Sequence, residues 1–266
     1  MQAGPPTRRI PQVVAHRGSS EALAEHTLSA YRQAVREGAD ALECDVRLTA
    51  DGHLVCLHDR RVERTSDGRG VVSSLELADL HHLDFASWKG DTLQAPDHDD
   101  DLRRVLTLKR LLDMVAAEER RIEVAVETKH PTRYAGLVER RLIELLETYG
   151  WGGSGPDQRV RVMSYSWASL RRVHERAPGL PTVFLMDRVP LRLRDGTLPR
   201  GVRIAGLSIQ TVREYPQQVP RLHANGNQVH VFTVNEEADV RICLSLGVDA
   251  IISDRPGRVR TLVDAG

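Results

Sequence analysis

Cysteine is scarce in this sequence, and its charges cancel. Among 266 residues only Cys44, Cys56 and Cys243 occur. An odd number at spacings that fit no zinc or redox motif predicts small buried side chains in a reducing compartment. The 37 basic and 37 acidic residues give a formal net charge of +0, so nothing favours nucleic acid or an anionic membrane surface as a partner. A small anionic substrate stays open, because a local site can be positive on a neutral protein.

Long apolar runs are also missing. No run approaches the roughly 20 residues that a helix needs to span a bilayer, and the first twelve residues hold no apolar segment of a secretory signal. We therefore expect no membrane span and a cytoplasmic location. A length of 266 residues is usual for one α/β barrel, and we predict a single domain over residues 1–266.

Short apolar runs, rich in valine and isoleucine, alternate with longer segments of helical spacing. The alternation predicts a parallel sheet, and the number of repeats favours closure into a (β/α)8 TIM barrel over an open doubly wound sheet. No G-x-G-x-x-G follows the first run, which counts against a dinucleotide-binding fold. The predicted strands lie near 12–15, 41–46, 122–127, 160–164, 182–186, 204–209, 228–232 and 250–253.

One stretch, at about residues 60–106, breaks the alternation. It contains a glycine-rich turn, a short helical pattern and an acidic segment at 97–101, but no clean barrel element. We interpret it as a small insertion between the second strand and the second barrel helix, which we expect to begin near Thr107. The acidic segment lacks the spacing of a calcium-binding loop and is predicted to be solvated.

Acidic residues occupy alternate positions of the second predicted strand. Because side chains alternate along a strand, Glu43 and Asp45 share one face, which we expect to point into the barrel. Two buried carboxylates cannot both stay ionised without a partner; a divalent cation is the simplest one, and an arginine or lysine is the alternative. Glu127, ending the third strand, would add a third oxygen, and such hard ligands suit Mg²⁺, Ca²⁺ or Mn²⁺. Lys129 shares the parity of Glu127 and either holds a phosphate oxygen or pairs with a neighbouring carboxylate.

Two histidines are predicted to meet at one end of the barrel. The first strand ends in His16-Arg17-Gly18, at the C-terminal face where barrel active sites are built, unless these are only solvated residues at a strand end. After the Asp51-Gly52 turn, the apolar run 54–57 is expected to fold back on the second strand and to return His58 to the same face. Imidazole titrates near neutrality, so such a pair suits acid/base catalysis of phosphodiester hydrolysis.

These motifs, in this order and spacing, resemble the glycerophosphodiester phosphodiesterase family. Its usual pattern is HRG, then ENT, E-x-D, HD and E-x-K. The likeness continues into the last two predicted strands and so covers nearly the whole chain. The matching segments are His16-Arg17-Gly18, Glu25-His26-Thr27, Glu43-x-Asp45, His58-Asp59, Glu127-x-Lys129, 232–235 and 247–256.

The resemblance implies a metal-dependent barrel enzyme that hydrolyses glycerophosphodiesters, as small-molecule substrates, to sn-glycerol 3-phosphate and an alcohol. Two positions depart from the family pattern and bear on substrate preference. His26 replaces the asparagine of ENT, and Phe232 replaces a tryptophan of the seventh strand, where it can still wall the substrate pocket. The implied roles are metal ligation by Glu43, Asp45 and Glu127, acid/base catalysis by His16 and His58, and phosphate binding by Arg17 and Lys129.

Two other functions stay open at this point. A metal-dependent barrel enzyme that acts on an enolisable acid or a sugar would also place carboxylates on successive strands, but its acid/base group usually follows a later strand. A catalytically silent barrel that binds phosphate esters or a protein partner would be expected to lack a histidine or a ligand, and none is missing. Paired histidines after the first two strands favour phosphodiester hydrolysis.

Overall fold

Eight parallel strands close into a barrel in the computed structural model, which describes residues 10–90, 103–133 and 136–265. Each strand pairs in parallel with its neighbours, and the first strand pairs with both the second and the last, which closes the ring. The predicted (β/α)8 barrel is therefore confirmed, and the open doubly wound sheet is excluded. The barrel strands are β1 Gln12–His16, β2 Ala41–Leu48, β4 Glu123–Thr128, β5 Val160–Ser164, β6 Thr182–Met186, β7 Ile204–Ser208, β8 Gln228–Phe232 and β9 Ala250–Ser253.

Helices connect the strands and cover the outside of the barrel. Hydroxyl side chains cap the N-termini of several of them; Thr27, for example, accepts a hydrogen bond from the Ala30 amide, and Thr107 accepts one from the Arg110 amide. The helix predicted near Thr107 thus begins there. The helices are α1 Leu28–Arg36, α2 Leu77–His81, α3 Leu108–Ala117, α4 Leu137–Glu147, α5 Trp167–Arg176, α6 Ile209–Glu214, α7 Gln218–Ala224, α8 Glu237–Leu246 and α9 Pro256–Ala265. Within the described ranges, no helix is both long and apolar enough to cross a membrane.

The strands carry two separate apolar layers. Residues of one parity, such as Leu42 and Cys44, pack between the barrel and its helices. Residues of the other parity fill the barrel itself and mix small side chains, such as Ala41 and Ala125, with large ones, such as Met163 and Leu185. All three cysteines are buried and free, as the sequence predicts.

A short hairpin extends the second barrel strand. β3, Leu54–Cys56, runs antiparallel to β2, with Leu54 opposite Leu48 and Cys56 opposite Val46. Gly52 turns the chain with φ +89°, a conformation that favours glycine. The expected return of the chain toward the C-terminal face is confirmed, since the Leu57 amide donates to the carbonyl oxygen of Asp45 at 3.0 Å.

The predicted insertion follows this hairpin. Its described part holds α2 and two single 3-10 turns, Val72–Ser74 and Ser87–Lys89. It forms a small apolar cluster with β3, which includes Val62, Leu80 and Phe85. The acidic segment 97–101 lies outside the described residues.

Candidate active site

Three carboxylates converge where β2 and β4 end. Glu43, Asp45 and Glu127 each offer an oxygen atom, and these atoms all lie within 4.8 Å of one another. The three residues are only 2%, 1% and 8% exposed. The prediction from strand parity that these side chains point into the barrel is therefore confirmed. Among the described residues, this is the only cluster of side chains that could hold a metal ion.

Charge in this cluster is unevenly distributed. Burial opposes ionisation of Asp45, but the hydrogen bond from His26 and the charges of Lys129 and Arg17 hold its pKa well below the usual range. Burial and the charge of Asp45 raise the pKa of Glu43 well above its usual value, and the same two causes raise the pKa of Glu127 to about 8. The cations of the protein thus stabilise the ionised form of only one of the three carboxylates, Asp45.

Two cations border the carboxylates. Lys129 Nζ lies 2.9 Å from Glu127 Oε1 and 3.3 Å from Asp45 Oδ1. Arg17 Nε lies 3.0 Å from Asp45 Oδ2, and its Nη1 donates to Glu25 Oε1 at 3.1 Å. Both cations therefore contact the carboxylate cluster. Of the two roles considered for Lys129 from the sequence, pairing with a neighbouring carboxylate is present in the structure.

The arginine is held by an unusual backbone. Arg17 has φ +58°, and Gly18 after it has φ +90°. A Cβ on Gly18 would lie 2.7 Å from the backbone carbonyl carbon of Ala30 in α1, so only glycine fits. The tight turn also lets the Arg17 amide donate to Glu43 Oε2 at 3.1 Å.

His16 is oriented by the far end of the chain. Its Nδ1 lies 2.7 Å from Asp254 Oδ1, and Asp254 also accepts hydrogen bonds from Asn235 Nδ2 at 2.6 Å and Ser20 Oγ at 2.8 Å. Burial opposes ionisation, but the bond with His16 holds the pKa of Asp254 below its usual range. No role was predicted for these partners from the sequence, although Asn235 and Asp254 lie in the C-terminal motifs that resemble the family.

His58 has a local counterpart of this arrangement. Its Nδ1 lies 2.6 Å from Oδ1 of the next residue, Asp59, whose Oδ2 accepts from Arg64 Nε at 2.5 Å. Arg64 in turn donates to both carboxylate oxygens of Glu25, at 2.7 and 2.8 Å. Burial lowers the pKa of His58, and the positive charges of Arg17 and Lys129 lower it further. Each histidine therefore has one nitrogen fixed by an aspartate, which leaves Nε2 for a substrate.

Both histidines line one cavity of about 200 Å³ together with the carboxylates and the cations. One wall is apolar, and Phe232 belongs to it, in edge-to-face contact with Tyr165 at 6.1 Å between ring centroids. The residues that line the cavity include His16, Arg17, Glu43, His58, Glu127, Lys129, Met163, Tyr165, Leu185, Phe232 and Ile252. The structure thus brings together every residue that the sequence suggested for the site, with Asp45 buried beneath the others.

His26 lies behind the carboxylates and is only 4% exposed. Its Nε2 is 3.0 Å from Asp45 Oδ2, and its Nδ1 is 2.8 Å from the hydroxyl of Tyr31. That hydroxyl also donates to the carbonyl oxygen of Glu43 at 3.0 Å. The sequence identified His26 only as a departure from the ENT pattern, because nothing local shows that its ring reaches the second strand.

Known proteins share this arrangement. The profile of the Glycerophosphoryl diester phosphodiesterase family matches residues 16–258, from the first histidine to beyond the last barrel strand. The chain belongs to this family.

Relatives of the family agree over the full length of the barrel. A probable glycerophosphodiester phosphodiesterase 1 of Mycobacterium tuberculosis is 43% identical over 259 residues, which cover 96% of this chain and 93% of that protein. A glycerophosphodiester phosphodiesterase of Bacillus subtilis is 30% identical over 248 residues, covering 91% and 83%. The chain is therefore an enzyme of the glycerophosphodiester phosphodiesterase class.

Solved structures show the same fold. A phosphodiesterase of Oleispira antarctica, determined in complex with the product sn-glycerol-3-phosphate, superimposes with a TM-score of 0.81 at 25% identity, covering 96% of this chain and 97% of that one. A putative glycerophosphoryl diester phosphodiesterase of Silicibacter pomeroyi gives a TM-score of 0.80 at 24% identity, covering 97% and 95%.

Proposed function

We propose that this phosphodiesterase hydrolyses glycerophosphodiesters to sn-glycerol 3-phosphate and an alcohol, with a divalent cation and with His16 and His58 as the acid/base pair. The observation that carries the proposal is one cavity lined by two carboxylates, two cations and two oriented histidines, with the third carboxylate, Asp45, clustered with the other two. The product bound to the Oleispira phosphodiesterase supports the same assignment. We further propose that residues 1–266 form one phosphodiesterase domain, with the insertion as part of it.

The carboxylates fit a hard divalent cation. Asp45 Oδ1 is buried and forms no hydrogen bond, although Lys129 Nζ lies 3.3 Å away. Burial and mutual repulsion raise the pKa of Glu43 and Glu127. Three oxygen ligands and no thiolate at the site suit Mg²⁺, Ca²⁺ or Mn²⁺, with Glu43, Asp45 and Glu127 holding the ion. When bound, the ion would offset negative charge on the non-bridging phosphate oxygens.

The protein's own groups perform the remaining work. Arg17 and Lys129 bind the phosphate oxygens, because both cations line the cavity beside the carboxylates. One histidine removes a proton from the nucleophile through Nε2, and the other protonates the leaving oxygen. Asp254 and Asp59 position the two rings by accepting a hydrogen bond from Nδ1. The histidine that acts as base then carries hydrogen on Nδ1 alone, and the one that acts as acid starts as imidazolium, with the proton that it gives on Nε2.

The test is a product assay with divalent cations varied. Glycerophosphocholine, glycerophosphoethanolamine, glycerophosphoglycerol and lysophosphatidylcholine are supplied separately, and sn-glycerol 3-phosphate is measured by an enzyme-coupled reaction. We expect product from the short diesters and a lower kcat/KM on the lysolipid. The control is His16→Ala, purified in the same way. Absence of sn-glycerol 3-phosphate from every diester with every cation would refute the proposed function.

A further inference from the structure

A second cavity adjoins the active site at Lys129. It has a volume of about 180 Å³, and Lys129 lines both this cavity and the catalytic one. Its floor is apolar and is formed by Leu48, Val72 and Val138. We call it the basic cleft, because its walls include Arg47, Arg60, Lys129 and Arg133.

No acidic side chain is among the described residues that line the cleft. Arg47 donates through Nε and Nη2 to the backbone carbonyl oxygen of His58, at 3.0 and 2.7 Å, so a neutral acceptor holds its guanidinium. Lys129 is paired with Glu127 and Asp45 on the side of the active site, so the positive charge of the cleft rests on Arg47 and Arg60. Two guanidinium groups on a wall that has no acidic side chain among its described residues create a local positive potential, which attracts an anionic group.

Arg60 has the greatest freedom to meet such a group. Its side chain is exposed, and it forms no ion pair or side-chain hydrogen bond with the described residues. Its backbone is fixed, because the Val72 amide donates to its carbonyl oxygen at 3.0 Å. A guanidinium offers parallel donors that match both oxygens of a carboxylate or two oxygens of a phosphate.

The two cavities fit the two arms of a diester. The phosphate binds near Lys129, at the junction of the cavities, if the proposed function holds. The apolar wall with Phe232, Leu185 and Ile252 carries no charge and suits the glycerol arm. The other arm then lies in the basic cleft, on the side where Arg47 contacts the backbone of His58.

We propose that the basic cleft binds an anionic group on the alcohol arm of the substrate, so that this enzyme prefers glycerophosphodiesters whose alcohol carries a carboxylate or a phosphate. Arg60 is the specificity-determining residue. The inference rests on the proposed function and adds the charge of the alcohol to it.

Two matched substrate pairs test the preference. Glycerophosphoserine and glycerophosphoethanolamine differ by one carboxylate, while glycerophosphoinositol 4-phosphate and glycerophosphoinositol differ by one phosphate. At low ionic strength we expect kcat/KM to be about 10-fold or more higher for the anionic member, the range of a charge-assisted hydrogen bond. The pair with the larger ratio tells whether carboxylate or phosphate is the preferred group. We also expect the ratio to shrink as salt is raised, because the cleft is open to solvent.

Arg60→Gln should remove most of the preference by lowering kcat/KM on the anionic substrate about 5- to 10-fold, with little change on glycerophosphoethanolamine. Arg171→Gln is the matched control, since Arg171 is exposed on α5 and pairs with Glu175 away from the cleft. Equal kcat/KM within each pair, or a ratio that Arg60→Gln leaves unchanged, overturns the inference while the proposed function stands. If no diester is hydrolysed, the proposed function itself is wrong and the inference falls with it.

Discussion

The two ends of the barrel both carry inward-facing charged residues, yet they differ in how the charges are paired. At the N-terminal end, Glu123 Oε2 accepts from Arg161 Nη1 at 2.9 Å and from Gln12 Nε2 at 3.1 Å. At the C-terminal end, three carboxylates share Lys129 and Arg17, and two of them have raised pKa values. Because Arg121 Nε also lies 3.9 Å from Glu123 Oε1, the carboxylate at the N-terminal end is fully matched by cations of the protein. The carboxylates at the C-terminal end outnumber their cations and could hold a metal ion.

The difference teaches that an inward charged residue does not by itself mark an active site. Arg161 is more deeply buried than Arg17 is, at 6% exposure, but its neighbours are a single glutamate, a glutamine and the neutral ring of His230. A histidine held by an aspartate occurs at this end too, since His223 Nε2 lies 2.9 Å from Asp249 Oδ2, but His223 is not among the described residues that line the cavity beside Arg161. The C-terminal end differs in that carboxylates, cations and histidines contact one another and shift one another's pKa values.

The largest expected effect concerns the proposed metal site at the C-terminal end of the barrel. We predict that chelation with EDTA abolishes turnover, that Mg²⁺ or Ca²⁺ restores it, and that Glu43→Gln and Asp45→Asn each lower it by about 10³-fold or more, because the site loses the ligands that hold the ion. Added cation should also raise the melting temperature of the wild type and not that of Asp45→Asn. Full turnover in protein shown by elemental analysis to be free of metal would contradict the metal site.

Removal of either of the two histidines that we propose as the acid/base pair should have the next largest effect. We predict that His16→Ala and His58→Ala lower kcat by about 10²–10⁴, the usual range for general acid–base groups. Because neither ring is needed to hold the cation, the stabilisation by Mg²⁺ or Ca²⁺ should persist in both variants, as measured by thermal unfolding. Near-normal turnover in either folded variant would exclude that histidine from the mechanism.

At the N-terminal end, changes in charge should alter stability and leave catalysis intact. Glu123→Leu leaves the guanidinium of Arg161 buried without a counter-charge, and we predict a loss of about 2–3 kcal/mol in the free energy of unfolding, somewhat below the effect for fully buried pairs. Arg161→Met removes the buried charge itself and should change stability by about 1 kcal/mol or less. Urea unfolding and kcat/KM are measured on both, and a large loss of kcat/KM would show that the two ends are coupled.

The smallest effect concerns pH. Burial and the charge of Arg161 hold the pKa of His230 well below its usual value. The unfolded chain then binds a proton at His230 near pH 6.5 that the folded chain does not bind, so stability is lost as pH falls below 6.5. We predict that His230→Leu weakens this dependence between pH 7 and 5 by up to about 1.4 kcal/mol per pH unit. Identical slopes for wild type and variant, measured by urea unfolding, would refute the role of His230.

Much of the fold and the site follows from local rules in the sequence. Alternation along β2 fixed the inward direction of Glu43 and Asp45, and the Asp51-Gly52 turn predicted the hairpin that returns His58. Such predictions succeed because the period of a strand and the geometry of a tight turn are properties of a few neighbouring residues.

The supporting contacts could not be predicted in this way. His16 contacts Asp254 across 238 positions, and His26 reaches Asp45 only because the loop after β1 carries its ring, at φ +60°, behind β2. These contacts depend on closure of the barrel and on one loop conformation, which no periodicity encodes. The basic cleft has the same origin, since it joins Arg47 in β2, Arg60 in the insertion and Lys129 after β4.

The bond between His16 and Asp254 joins the first barrel strand to the residue that follows the last one. During synthesis, the N-terminal half of the chain already contains the two proposed catalytic histidines, all three carboxylates, and both Arg17 and Lys129. Asp254, which contacts His16 Nδ1, follows β9 and reaches it only once β9 has paired with β1 and β8. The last barrel strand along the chain therefore brings in the group that orients the ring of His16.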